Sequence, residues 1–406
     1  MLRRELPPTA GLPAAWRDFL PPWRRSFARD VASWLGGEWS LLTSSGTAAL
    51  CIAFNALSRL APGRRHVVLP AYTCPLVAEA VLRSGLTPRL CDTREGHFDF
   101  YPDALAACCD EDTLAIVATH LAGRVADVAL ARRHADACGA FVIEDAAQAF
   151  GARVREPGQA WQSVGHRGDV GIFSFSVGKG LTLFEGGLAV ARDERIRESL
   201  AASERKLQRR APLRELQRAT ELMGYAALYR PRTLSLVYGA PLRRALARED
   251  VVSAVGDRAR HAIPIHRVSR FRQTAGTRAL ARYQAHLEAA SDRAARLREA
   301  LAALPGVQVL DDPPGQAGIW MFLILVLSDE ARRNEVLRPL WGAGLGVTRL
   351  FAMALPDYPQ LKGRIHAPPL PHARAFAART LTLGNSAWLD PQAMDHVMAA
   401  LRTRIP

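Results

Sequence analysis

Between about residues 38 and 190, short apolar runs that read as strands alternate with stretches of helical periodicity. VVLPAY, a helix over 76–84 and TPRLCD make one β-α-β step. TLAIVATH, a helix over 128–138 and AFVIED make the next, and GDVGIFSF and GGLAVARD follow. Helices that return the chain to begin another strand predict an α/β fold, a mostly parallel central sheet flanked by helices on both faces. Ligands of such sheets sit just beyond the carboxyl ends of the strands. The polar residues that directly follow each run are therefore where chemistry is expected.

A chain of 406 residues is too long for one minimal core, which implies a large and a smaller lobe. The expected division is an N-terminal arm over 1–30, a large ligand-binding domain over 31–262, and a linking helix with a small C-terminal α/β domain over 263–406. Within the large domain, 195–262 is basic and apolar by turns, and Pro231 and Pro241 prevent it from being one helix. Its leucines and aromatics beside arginine suit a packed insertion or a dimer contact better than a membrane-surface patch. A long amphipathic helix is expected over 277–304. GVQVL, the apolar strand IWMFLILVL, a helix over 329–343 and a last helix over 391–404 complete the small lobe.

The formal charge of +14 raises nucleic acid, acidic membrane or a phosphorylated substrate as partners. Arginine is scattered along helices, as in LARRHADACG, and is dense only over 205–218. No zinc-finger, helix-turn-helix or RRM pattern accompanies it, so no nucleic-acid partner is expected. Six cysteines show no CxxC pairing, so they are read as reduced core residues, with no metal site. The N-terminus has no apolar core for a secretory signal, and IWMFLILVL is too short to span a bilayer, so a cytoplasmic location is expected.

Three segments carry the chemistry. SSGTAAL turns into a helix, so the N–H groups of Gly46, Thr47 and Ala48 face whatever sits at its N-terminus; such ends bind phosphate, although alone the turn reads first as a simple helix cap. AFVIEDAAQAFGA leaves a strand into Glu144, Asp145 and Gln148; Asp145 suits either a helix N-cap or a placed anion. GDVGIFSFSVGKGLTLFEGG sets Lys179 between Gly178 and Gly180, shortly after Ser174, where a surface lysine would be the blander reading. Together they meet the needs of pyridoxal phosphate: a phosphate cradle, an anion for the pyridine nitrogen, a hydroxyl and an amine for the aldehyde.

These blocks resemble the DegT/StrS family of sugar aminotransferases. The match runs through SGTAAL, VVLPAYTCPLVAEAVLRSGLTPRLCD, AIVATHLAGRVADV, the Asp-Ala-Ala-Gln block and the Ser-Phe-x3-Lys block, and resumes at ARTLTLGNSAWLDPQAMDHVMAAL. The resemblance implies a fold-type I pyridoxal-phosphate-dependent transferase. Lys179 takes the place of the Schiff-base lysine that also shuttles a proton, Asp145 that of the pyridine-nitrogen partner, and Gln148 lies beside the 3-hydroxyl. Ser174, Gly46, Thr47 and Ala48 match phosphate contacts. It also implies a homodimer with the active site at the subunit boundary.

Three positions depart from that pattern. Cys74 stands where an aromatic ring commonly stacks on the cofactor, which leaves Tyr72 as the substitute. Ile265-His266-Arg267 keeps the arginine of an Asn-x-Arg segment from the neighbouring subunit and loses the asparagine. The stretch over 195–262 is longer and more basic than usual. His120 is read as a core histidine or a substrate contact, Glu185 as lining the site or bracing a dimer, and Arg349 as meeting a substrate carboxylate or phosphate. The expected activity is transfer of an amino group from glutamate or glutamine to a keto-sugar, nucleotide-linked, for surface polysaccharide or secondary-metabolite synthesis. The alternatives are a non-transaminating enzyme of the same fold, and a membrane-associated protein built on it. The dehydratase branch carries histidine at the lysine position, so Lys179 counts against it.

Overall fold

The computed structural model describes residues 3–23, 26–257 and 262–404. Residues 258–261 of the basic stretch, and Met1 and Leu2 of the arm, lie outside the described residues. The main sheet has seven strands in the order Leu41–Thr43, Gly187–Val190, Val170–Ser174, Phe141–Asp145, Thr113–Thr119, His66–Pro70, Thr87–Cys91. Gly187–Val190 runs against both its neighbours, and the remaining pairings are parallel. Every residue of Thr113–Thr119 is buried, as a central strand covered on both faces requires. Because the strands run together, Thr43, Pro70, Thr119, Asp145 and Ser174 all end at one edge of the sheet.

A second, antiparallel sheet has the order Val307–Val309, Phe322–Leu327, Thr380–Gly384, Val347–Thr348. The N-terminal arm reaches both sheets: Ala10 N donates to Met321 O at 2.8 Å and Leu12 N to Gly180 O at 2.7 Å.

Two elements differ from the sequence expectation. The helix expected over 277–304 is two, Arg270–Leu280 and Tyr283–Ala302. The break turns Tyr283 inward, where its ring stacks on Phe150 at 5.2 Å and its hydroxyl donates to Phe150 O at 2.7 Å. Apolar spacing cannot show such a break, because both halves keep the same period. The strand of IWMFLILVL begins at Phe322. Before it, Ile319 N is committed to Gly123 O, and Met321 O receives both Ala10 N and Asn385 N. The basic stretch folds into the helices Glu194–Leu207, Pro212–Leu228, Ala240–Leu246 and Val251–Val255. Pro231 lies in the gap after the second and interrupts the chain as expected, but Pro241 does not: it sits inside a continuous helical run over 234–246, directly after the π-helical turn Ser235–Gly239.

Candidate active site

A cavity of about 320 Å³ opens at the carboxyl edge of the main sheet. Its floor begins with the helix Gly46–Leu60. Ser45 caps this helix, its Oγ accepting from Ala48 N at 3.1 Å, while Ala49 N bonds to Ser45 O. Gly46 and Thr47, whose N–H groups precede the first intrahelical bond, line the cavity with Ser174 and Ser176. The absent side chain at Gly46 is required, since a Cβ there would lie 3.0 Å from Ser174 Cβ. Two free N–H groups, the positive end of a helix and two hydroxyls form an anion cradle.

Asp145 and Lys179 share this cavity. Burial pushes the Asp145 carboxyl up, opposed by the Ala147 N–H that donates to Oδ1 at 3.1 Å and by the charge of Lys179. Burial pushes the Lys179 amine down, although Cys74, Asp145 and Asp257 each favour its charged form. A lysine held below its ordinary value has more free amine near neutral pH, the form that attacks a carbonyl. Gln148 also lines the cavity. Its Oε1 accepts from Ala122 N at 2.7 Å, which leaves its amide nitrogen as the group available to a ligand oxygen.

The loop carrying Lys179 is shaped by its glycines. Gly178 adopts a φ of +85°, and a Cβ at Gly180 would lie 2.0 Å from the Tyr283 hydroxyl oxygen. Gly180→Ala must therefore displace either the loop or a fully buried tyrosine. It is expected to cost about 1–3 kcal/mol of stability and to weaken cofactor retention, read by thermal melting and by cofactor absorbance after gel filtration. Gly178→Ala, with nothing nearer than Thr9 Oγ1 at 3.5 Å, should lose less stability, through backbone conformation alone. Equal losses in the two variants would remove the Tyr283 contact as the cause.

Behind the cavity wall, Glu144 is fully buried and receives four donors: His120 Nε2 at 2.9 Å, Gly165 N at 2.8 Å, and Arg167 N and Gly168 N at 2.6 Å each. Burial alone would raise its carboxyl, but the His120 hydrogen bond and the backbone N–H groups hold it well below the usual carboxylate range. Ala126 N donates to His120 Nδ1 at 2.9 Å, so the ring hydrogen sits on Nε2 and points to Glu144. His120 lines the cavity, but both its nitrogens are committed to the protein. Glu144→Gln puts an amide N–H against some of these donors and should cost on the order of 3 kcal/mol; an unchanged melting temperature would refute that anchoring role. Since the folded carboxyl lies below its ordinary 4.5, this stabilisation is complete above about that pH and is lost progressively as pH falls below it.

Other expected site residues lie elsewhere. Ala48 is buried in the helix and its N–H is used by the Ser45 cap, so it does not join the cradle. Tyr72 is not on the cavity wall: its ring packs edge-on against Phe351 and Phe376, and its hydroxyl accepts from Phe351 N at 3.3 Å. A stacking role for Tyr72 does not fit this position, and the aromatic side chains on the wall are Phe322 and Phe351. Glu185 is buried away from the cavity and pairs with Arg218 at 2.5 Å, bracing the helix Pro212–Leu228. Arg267 is exposed and donates to Gln208 Oε1 at 2.8 Å. Arg349 directly precedes the wall residues Leu350 and Phe351 without lining the cavity itself.

Sequence reasoning missed Thr73, Thr119, Ser176 and Asp257, all on the wall. The hydroxyls of Thr73 and Thr119 are buried with no hydrogen-bond partner. Thr73 and Thr119 immediately follow or end strand runs, a placement the sheet rule flags; nothing local flags Asp257. Pyridoxal phosphate fits these residues: Gly46, Thr47, Ser174 and Ser176 for its phosphate, Asp145 for its ring nitrogen, Lys179 for its aldehyde. The two orphaned hydroxyls mark the cavity as built for a polar ligand. A separate cavity of about 400 Å³, beside Trp34, Trp161 and His166, contains none of this chemistry.

The sequence matches the family model of the DegT/DnrJ/EryC1/StrS aminotransferase family over residues 15–226 and 265–402. The chain belongs to this family. As a DegT/DnrJ/EryC1/StrS member it is similar to Protein MosB of Rhizobium meliloti, 38% identical over 43% of this chain and 33% of that one. It is also similar to the UDP-N-acetyl-3-dehydro-alpha-D-glucosamine 3-aminotransferase of Acidithiobacillus ferrooxidans, 36% identical over 43% of this chain and 46% of that one. The chain thus spans less than half the length of these two curated relatives. A full-length likeness is to the dTDP-3-amino-3,4,6-trideoxy-alpha-D-glucose transaminase of Streptomyces venezuelae, 27% identical over 95% of this chain and 88% of that one. The fold is that of the crystal structure of DesI with its TDP-sugar product, with a TM-score of 0.73, 23% identity, and coverage of 99% of this chain and 93% of that one. It also matches a putative sugar aminotransferase of Streptococcus pneumoniae, with a TM-score of 0.71, 19% identity, and 97% and 93% coverage.

Proposed function

We propose that this chain is a pyridoxal-phosphate-dependent aminotransferase that moves an amino group from glutamate or glutamine to a keto-sugar carried on a nucleoside diphosphate. The carrying observation is that Lys179 and Asp145 face one cavity whose floor is the open N-terminus of Gly46–Leu60. When bound there, pyridoxal phosphate supplies an electron sink for the carbon that loses its proton. Asp145 holds a positive charge at the far edge of the cavity, and the anion cradle fixes the opposite end. Lys179 Nζ takes the proton from the substrate carbon bearing the amino group and returns it on the other side of the transfer. His120, its two ring nitrogens bonded to Glu144 and Ala126, closes the wall.

The keto-sugar acceptor is supported by relatives named for UDP- and dTDP-linked amino sugars. A polysaccharide or secondary-metabolite destination is supported by similarity to a spore coat polysaccharide biosynthesis protein of Bacillus subtilis. The reading includes a homodimer. Trp16, Leu20, Leu213 and Leu216 are large apolar side chains left exposed, and Arg267 faces away from its own cavity. No helix among the described residues is long and apolar enough to cross a membrane.

The test is direct. Purified protein loaded with pyridoxal phosphate should be yellow, and borohydride should link the cofactor irreversibly to Lys179. Glutamate or glutamine alone should convert it to the amino form, seen as loss of the yellow band. Failure with every amino acid would overturn transamination while leaving the fold untouched.

A further inference from the structure

The family model matches two blocks and leaves the chain between them, 227–264, unmatched. Yet three residues of it, Val255, Gly256 and Asp257, stand on the wall of the Lys179 cavity. Asp257 follows the helix Val251–Val255, which Gly256 ends in the left-handed conformation at a φ of +93°. Its Oδ2 receives Ala352 N at 2.8 Å and the Tyr358 hydroxyl at 2.5 Å. Tyr358 is fully buried in the main core, so the carboxylate is anchored and is not a surface side chain that happens to point inward.

Asp257 shares the cavity wall with Cys74, Lys179 and Asp145. Asp257 is also one of the two carboxylates that favour the charged form of Lys179. Cys74 is the position where the sequence lacks the bulky ring expected there, and a cysteine is small enough to admit a carboxylate beside it. Asp145 already satisfies the need for an anion on the cofactor side, so a second carboxylate near the reactive amine has a different partner.

We propose that Asp257 is a specificity-determining residue for the amino-group acceptor, its carboxylate accepting hydrogen bonds from hydroxyls of a polyhydroxylated cyclic ketone. This rests on the aminotransferase reading above. Oδ2 is filled by Ala352 N and the Tyr358 hydroxyl, so Oδ1 is the atom held in a fixed geometry to accept from a ligand hydroxyl, which suits a hydroxyl flanking a ketone. The same charge disfavours anionic keto acids at that wall, so the acceptor and the amino donor make different use of the cavity. A site built to hydrogen-bond a hydroxyl rejects analogues without it far more strongly than an apolar pocket rejects a misfit.

The experiment uses full-length holoprotein and its Asp257→Asn variant, whose side-chain oxygen can keep both the Ala352 and Tyr358 bonds. Two half-reactions are followed by cofactor absorbance: loading with glutamate or glutamine, and discharge of the amino form to scyllo-inosose or to a nucleotide-linked 3-keto-hexose, with cyclohexanone as the hydroxyl-free control. The expected result is a discharge kcat/KM lowered by roughly 10- to 100-fold, carried mainly by KM, and at least tenfold more affected than loading. Discharge to cyclohexanone by the wild type should be weak and unchanged by the substitution. Equal effects on both half-reactions, no effect on either, or a wild type that loads but discharges to neither polyol would overturn the assignment. A wild type that does not load with any amino acid would overturn the aminotransferase reading instead.

Discussion

Lys179→Ala should give a folded protein that binds pyridoxal phosphate non-covalently, resists borohydride fixation and loses about 10⁴-fold or more of its transamination rate. The folding expectation follows from the environment of the amine. Burial disfavours its charge, so removing it relieves a desolvation cost, and the melting temperature should hold or rise. The rate expectation follows from the loss of the one amine that lines the cavity among the described residues; His120, also on the wall, has both nitrogens committed to Glu144 and Ala126. Lys179→Arg separates chemistry from charge. A guanidinium restores the cation beside Asp145 and Asp257 but does not deprotonate in proteins, so it should be as inactive as alanine. Residual turnover within tenfold of wild type in either variant would mean that another group does the work.

Asp145→Asn should come next in size, with activity down by roughly 10³-fold and the cofactor still held by the cradle. An ion pair at contact distance is worth on the order of 4 kcal/mol at an effective dielectric near 20, and each 1.4 kcal/mol is a factor of ten. Asparagine keeps an oxygen for the Ala147 N–H, so the turn after the strand Phe141–Asp145 should survive, and a melting curve close to wild type is the control. The signature is kinetic: kcat should fall, with little change in the concentration of donor at half saturation, because the lost charge acts on proton removal and not on donor binding. A variant that instead loses cofactor at near-normal kcat would place Asp145 in cofactor retention alone.

Adjacent residues in one strand illustrate where reading along the chain stops. Glu144 and Asp145 are both carboxylates at the end of AFVIED, and strand geometry sends them to opposite faces. Nothing local says which faces the ligand. The structure sends Asp145 into the cavity and Glu144 toward Gly165, Arg167 and Gly168, about twenty residues further on. Family resemblance singled out Asp145; the anchoring role of Glu144 emerged only once the 165–168 loop was folded beneath it. Tyr72 is a similar case. The tyrosine before TCP is the nearest ring to Cys74 in sequence, but Phe351 and Phe376, far along the chain, pack against it in the main core.

Patterns with a period of two or 3.6 residues are local, and so is the rule that ligands meet the ends of parallel strands. From these, the parallel sheet and the strand ends that carry Asp145 and Ser174 could be read without coordinates; the resemblance to the family was needed to choose Asp145 over Glu144, Lys179 over a surface lysine, and a cradle at Gly46 and Thr47 over a plain helix cap. Asp257 reaches the same cavity from more than a hundred residues beyond Asp145, held by Ala352 and Tyr358 from nearly a hundred further. Its position depends on how segments far apart in the chain pack into one core, and packing is a property of surfaces that meet, which no periodicity along a single chain encodes.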